Sequence, residues 1–262
     1  MIDKTTKQFL LEHPQLKYVF FGGKGGVGKT VMAGAAAMWI ASQGKSTLLA
    51  STNPVHSLSS LLDQDVFGAP TAVNGIDNLR AYEIDTKETI EKSKVELTEK
   101  LGMSSVYGMW VNKMVQSRED AKSLRELLSY SKRKEKDPLM EYLLSFRSRM
   151  ERAKALLTSA DKTAFFFITL PEALPIAVIK RFINWFHDFG IPVGGVVVNL
   201  VIDKQGVDQN APAFVRNRIA MQDSYMEEIR KSFANVRAVI PLFEKEVRGL
   251  EMLKRTADAL FA

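Results

Sequence analysis

Gly23-Lys24-Gly25-Gly26-Val27-Gly28-Lys29-Thr30 satisfies the spacing G-x-x-x-x-G-K-[ST]. Glycines at these intervals let successive backbone N–H groups curl around an anion, a lysine placed as Lys29 reaches the outer phosphates of a nucleotide, and a hydroxyl placed as Thr30 can ligate Mg²⁺. The chemistry this offers is nucleoside-triphosphate binding. ATP and Mg²⁺ are the expected cofactors, Gly23, Gly25, Gly26, Val27, Gly28, Lys29, Thr30 and Val31 the binding segment, and Thr30 the metal-binding residue. Two flanking runs fit: Tyr18-Val19-Phe20-Phe21 reads as a strand, and the alanine-rich Val31–Gln43 as a helix whose N-terminal dipole favours an anion.

Positioning such a loop requires a sheet. A strand at Lys17–Phe21, a helix ending near Gly44 and a second buried strand at Ser46–Ala50 make one β-α-β unit, hence a parallel pair. Further strands are expected at Leu79–Ile84, Thr163–Leu170, Gly194–Asn199 and Val236–Ile240, with helices after Asp85, from Pro175 to Gly190, from Pro212 to Ser232 and after Gly249. The expected fold is α/β: a mostly parallel, doubly wound sheet of a P-loop NTPase, one domain over 1–262 with a helical insertion at about 86–160. Residues 1–15 read as a polar lead-in without chemistry. Leu139, Leu143, Phe146, Met150, Ala153 and Leu157 recur every three or four residues, an apolar helical stripe for which packing is the default reading. Ligands of such sheets bind at the carboxyl ends of the strands, which singles out Ser51–Leu58, Asn199 and Pro241–Phe243.

Composition narrows the function. Of 262 residues 46% are hydrophobic, enough for a sizeable core. Lys+Arg 36 against Asp+Glu 30 leaves +6, a small excess spread along the chain, so a solvated helical face explains it better than a nucleic-acid partner. The absence of cysteine excludes disulfides and thiolate zinc sites. Without an apolar run of about 18 residues or a signal-like N-terminus, the expected compartment is the cytoplasm.

Lys24 refines the motif. G-K-G-G-V-G-K-T resembles the deviant Walker A motif of the nitrogenase iron protein, the septum-site and partition ATPases, and the arsenite-pump and tail-anchored-protein-targeting ATPases. In those families the early lysine crosses a dimer interface to the partner's nucleotide. The resemblance therefore implies a catalytic role for Lys24 in a homodimer, a solvated surface lysine being the alternative. The ordered series N-P-V-H-S at 53–57, P-E-A-L-P at 171–175, V-V-V-N at 196–199 and E-V-R-G at 246–249 resembles the arsenite-pump/targeting branch across nearly the whole chain. By that resemblance Asn199 would hydrogen-bond adenine and Pro241 to Phe243 would cover its face, a plain core loop being the alternative for Pro241 and Phe243.

Two departures stand out. The family has an aspartate that orients the attacking water where this chain has Asn53, and an amide can neither accept a proton nor carry the charge. His56 reads as a structural loop histidine rather than a replacement base. The family's further strand ending in Asp-Thr-Ala-Pro-x-Gly, which senses the γ-phosphate, is not recognisable between the third and fourth strands. Natural decay, an engineered substitution, an excised segment or a reordering of elements would each produce this. The resulting expectation is an ATP-binding dimeric switch with impaired hydrolysis, acting on a hydrophobic client segment or a membrane-protein partner. The alternative is a non-hydrolysing nucleotide-binding scaffold. For the client, Met103, Val106, Met109, Trp110, Val111, Met114 and Val115 form a cluster that is either an apolar groove or the core of the insertion.

Overall fold

The computed structural model describes residues 4–53, 57–85, 91, 138–208 and 211–262, with 138–141 described in the backbone only. The chain divides into two compact units, Met1–Ile84 with Leu156–Ala262, and Asp85–Ala155.

In the larger unit the strands are β1 (Tyr18–Gly22), β2 (Thr47–Ser51), β3 (Thr71–Ala72), β4 (Leu79–Glu83), β5 (Thr163–Thr169), β6 (Val193–Val201) and β7 (Val236–Pro241). Aromatic and β-branched residues dominate β5 and β6, as expected of strands covered on both faces, whereas the equally apolar β1 has no fully buried residue. The helices are α1 (Thr6–Glu12), α2 (Lys29–Ser42), α3 (Ser57–Leu62), α4 (Pro138–Leu157, most of which falls in the smaller unit), α5 (Ala173–Asp188), α6 (Ala213–Ser232) and α7 (Gly249–Leu260). Two sheets result: an all-parallel one in the order β1-β5-β6-β7, and a three-stranded one in the order β2-β4-β3 in which β2 and β4 are parallel and β3 antiparallel. The mostly parallel α/β architecture is the expected one. Its division differs from the single sheet that the sequence suggests, since no ladder joins β1 to β2 among the described residues.

One core nevertheless runs beneath both sheets. Met32, Ala35, Ala36 and Ala37 of α2 and Leu253, Ala257 and Leu260 of α7 pack with Leu49 of β2, Ala81 of β4, Ile168 of β5 and Ile240 of β7. Alanines suit α2 because their small side chains let sheet and helix approach closely on both sides. On the opposite face Ile176 and Ile179 of α5 and Met226 and Ile229 of α6 cover Phe167, Val196 and Val198. Helices on both faces make the fold doubly wound.

The N-terminal segment departs from the expected lead-in. Thr5 and Gln8 form a capping box, the Thr5 hydroxyl accepting from the Gln8 N–H at 3.3 Å and the Gln8 carbonyl from the Thr5 N–H at 2.8 Å, and this starts α1. Arg237 anchors that helix: its buried guanidinium lies 5.0 Å from the Phe9 ring centre and donates to the Gly194 and Lys4 carbonyls. A six-residue helix, α3, and the short hairpin strand β3 were likewise not expected.

In the smaller unit the described part of α4 corrects the reading of its stripe. Phe146 and Met150 are 43% and 55% exposed and Ala153 is exposed too, while Leu143 and Leu157 are half-buried, so only the ends of the described stripe pack. The expected insertion at about 86–160 otherwise lies largely outside the described residues, as do Leu101 to Val115 and the helix expected after Asp85.

Candidate functional site

The site is built at the carboxyl ends of β1, β2 and β6. β1 ends at Gly22 and the chain turns through Gly23–Gly28 into α2, whose cap residue Gly28 sits at φ +93° and whose first turn has no capping side chain and no acidic residue. The N–H groups that begin a helix have no intrahelical acceptor, so this end of α2 is set up for an anion. Gly25 and Gly26 border open space, whereas a Cβ on Gly23 would lie 2.5 Å from the Ile168 carbonyl oxygen and one on Gly28 would lie 2.4 Å from the Asn199 amide nitrogen. The loop is thus packed tightly below and open above, and these residues fit a phosphate chain. Lys29 folds back over the loop, its Nζ donating to the Lys24 carbonyl at 2.9 Å. The Lys24 side chain is exposed.

A chain of polar groups links the loop to the segment after β2. The Thr30 hydroxyl meets the Ser57 hydroxyl at 3.1 Å, and the Asn53 amide Nδ2 donates to the same Ser57 oxygen at 3.0 Å. The expected metal-binding hydroxyl and the residue standing where the family has a carboxylate therefore share one neighbour. Pro54, Val55 and His56 lie outside the described residues. Ser57 opens α3, and that helix is held by Glu83 at the end of β4. The carboxylate of Glu83 is buried and accepts from the N–H of Leu58 at 2.8 Å, the N–H of Ser59 at 3.3 Å and the Ser59 hydroxyl at 2.7 Å. A carboxylate at a helix start complements the helix dipole as well as its orphan donors. Ser57 lies in the run Ser51–Leu58 that the sequence singles out, without a role of its own; Glu83 was not singled out. The signal was present for Glu83, an acid at the inward position of the alternating run Leu79-x-Ala81-x-Glu83.

Asn199, on β6, is buried and donates from Nδ2 to the Val27 carbonyl at 3.0 Å, which fastens β6 to the phosphate loop. The next residue, Leu200, has φ +58°, and the buried Gln222 braces it by donating to the Leu200 carbonyl at 3.0 Å and accepting from the Ile202 N–H at 2.9 Å. A non-glycine residue in this region is strained, and such strain persists only where neighbours hold it. The loop after β7 joins the same edge through the Leu242 N–H, which donates to the Val201 carbonyl at 2.8 Å. Pro241 and Phe243 are half-buried, and the Phe243 ring lies 5.0 Å beneath the Arg255 guanidinium. Arg255 also pairs with Glu244, holding that carboxyl down at about 2, chiefly through the side-chain hydrogen bond. The structure thus gathers the phosphate loop, Asn53, Asn199 and Pro241–Phe243 along one edge.

The family described as anion-transporting ATPase matches residues 16–104 and 99–262. The chain is 28% identical over 321 residues to "ATPase ASNA1 homolog 2" of Paramecium tetraurelia, covering 97% of this chain and 96% of that protein. It is 26% identical over 310 residues to "ATPase GET3A" of Arabidopsis thaliana, covering 97% and 86%. It is also 26% identical over 308 residues to "Putative arsenical pump-driving ATPase 2" of Aquifex aeolicus, covering 94% and 99%.

Proposed function

The chain belongs to the anion-transporting ATPase family, and from that premise we propose that it is an ATP-binding switch that closes as a homodimer, hydrolyses slowly and acts on a hydrophobic client. The observation that carries the reading is the Thr30–Ser57–Asn53 chain beside the phosphate loop. In it an amide, rather than a carboxylate, shares Ser57 with the hydroxyl that would hold Mg²⁺ in this reading.

In the bound state Lys29 would leave the Lys24 carbonyl for the outer phosphates, the N–H groups of Gly25 to Thr30 would hold the anion, and Thr30 would hold Mg²⁺. Mg²⁺ supplies charge neutralisation between the outer phosphates when bound. Asn199 holds the loop from below, and a base would meet its carbonyl side or the edge formed by Pro241 to Phe243. Lys24, outside this packing, serves a second subunit's phosphates. Asn53 can orient a water by hydrogen bonding but cannot take its proton, so turnover is slow while binding is retained.

The client reading draws on composition and exposure. Two relatives are named for a GET3-type ATPase and for an arsenical pump. With no cysteine, this chain lacks thiolates for arsenite, while the exposed Phe146 and Met150 offer the adaptable apolar contacts a hydrophobic segment needs. Among the described residues no helix is long and apolar enough to cross a membrane. The scaffold alternative is favoured by Asn53 alone, and phosphate release distinguishes the two. A slow but measurable release that Lys29→Ala abolishes, together with ATP binding, supports the switch. ATP binding by Lys29→Ala at unchanged affinity would overturn the assignment of the site.

A further inference from the structure

β6 carries one extra residue near its carboxyl end. Val198 pairs with Val239 and Val201 with Pro241, three steps on β6 against two on β7, so Asn199 and Leu200 together face the single residue Ile240. The side chains agree with that count. Val196, Val198 and Val201 all pack in the cluster beneath α5 and α6, where strict alternation would have put Leu200 in place of Val201. Leu200 is therefore the inserted residue of a bulge, and its φ of +58° is a conformation that glycine usually supplies there.

A bulge takes backbone groups out of the ladder, and Gln222 gives them partners. On α6 it stands in the stripe Val215, Ile219, Gln222, Met226 and Ile229, spaced by four and three, of which it is the polar member. An amide buried at such a place is costly unless both its ends are used. Both are: Nε2 donates to the Leu200 carbonyl at 3.0 Å and Oε1 accepts from the Ile202 N–H at 2.9 Å. The adjacent Asp223 pairs with Lys204 at 2.6 Å, but that pair is exposed and holds the segment only weakly. With Leu200 held, Asn199 is kept against the phosphate loop. Its Nδ2 donates to the Val27 carbonyl and sits where a Cβ on Gly28 would lie 2.4 Å away, which leaves Oδ1 on the other side of the amide from that bond.

We propose that Gln222 is a positioning residue for nucleotide recognition: by fixing the bulge at Leu200 it aims the Asn199 amide, so that Nδ2 holds the phosphate loop and Oδ1 accepts from the amino group of an adenine. Guanine carries a carbonyl oxygen at the corresponding ring position, and two acceptors facing each other repel. The brace thus sets base preference from a residue that touches no nucleotide. The recognition role rests on the ATP-binding reading above, whereas the hold on Asn199 does not.

Two measurements on the full chain separate these parts. Without nucleotide, NMR exchange of the Asn199 side-chain NH₂ should be at least about tenfold faster in Gln222→Met than in the parent. An unchanged rate overturns the positioning role. Calorimetric titration with ATP and with GTP, each with Mg²⁺, then reads the recognition. The parent should bind ATP at least about tenfold more tightly than GTP, and Gln222→Met should bring the two within about twofold. Ile229→Val trims the same buried face of α6 without touching the bulge, and should keep the parent's ratio. Gln222→Glu serves if the methionine variant does not fold: a protonated carboxyl offers one donor and one acceptor, as the amide does, and burial favours that form. Its ATP-to-GTP ratio should match the parent's at about pH 5 and fall below it at about pH 8, each compared at the same pH. A ratio unaltered in Gln222→Met, or lost equally in Ile229→Val, overturns the proposal. A parent that binds both nucleotides alike overturns base reading by Asn199. A parent that binds neither overturns the ATP-binding reading and the recognition role with it, while the exchange rate still decides whether Gln222 holds Asn199.

Discussion

Replacing Glu83 by Gln should loosen the segment that presents Asn53 while leaving the phosphate loop in place. Among the described residues the Glu83 carboxylate takes three donors at the start of α3, two backbone N–H groups and the Ser59 hydroxyl, from a buried position. A glutamine keeps one acceptor oxygen and turns a donor toward the others, so at least one charge-assisted bond is lost, about 1.5–3 kcal/mol. For a chain of this size that is a fall of about 4–10 °C in unfolding temperature. Because α3 begins at Ser57, which binds both Thr30 and Asn53, exchange of the amides of Leu58 and Ser59 should speed up more than that of α2. Ser59→Ala supplies the cross-check: it should cost about 1 kcal/mol in the parent chain and much less in Glu83→Gln, as for two members of one network. Unfolding by denaturant with parallel hydrogen exchange reads all of this. A Glu83→Gln chain within about 0.5 kcal/mol of the parent, with unchanged exchange in α3, would refute the argument that this carboxylate holds the segment.

Asn53→Asp should raise phosphate release, because the Ser57 hydroxyl can donate to a carboxylate there as readily as it accepts from the amide; a parent rate already near about 1 per second would show that another residue orients the water. Gly28→Ala forces a side chain into a φ of +93° and toward the Asn199 amide, costing about 1–3 kcal/mol. Isothermal titration should show nucleotide affinity falling together with stability, and an unchanged affinity would count against the packed loop. The Glu244 carboxyl, held at about 2 by its hydrogen bond to Arg255, is depressed in the folded state, so its contribution is present above the ordinary 4.5 and is lost as pH falls through about 2. Titration by NMR should find that midpoint moving up toward 4.5 in Arg255→Ala.

How much of this could be read from the sequence depended on the range of the interactions. The phosphate loop and the strands around it are encoded locally, by glycine spacing and by apolar runs, and they stand where the sequence puts them. The position of Asn53 was legible from motif order, but the contacts behind it were not: Ser57 meets Thr30 from 27 positions away, and Glu83 meets Leu58 and Ser59 from 25 and 24 positions away, and no local pattern announces such contacts. Gln222 braces Leu200 across a similar gap. The stripe on α4 failed for the converse reason, since a period of three and four specifies a helix while burial depends on what else packs against it. The division into two sheets was not legible either, because which strands pair is decided between segments far apart in the sequence. α1 was missed although its capping box is local, because Thr5-x-x-Gln8 precedes a short run that reads as polar.

The central claim is that nucleotide closes two copies of this chain around their phosphates, with Lys24 reaching across. Sedimentation of the parent chain, Lys24→Ala and Lys29→Ala, each with and without saturating ATP and Mg²⁺, tests it most directly. The parent should pass from monomer to dimer on ATP, Lys29→Ala should remain monomeric without binding ATP, and Lys24→Ala should bind ATP as a monomer. A parent chain that binds ATP and stays monomeric, or a Lys24→Ala chain that dimerises as well as the parent, would contradict the account.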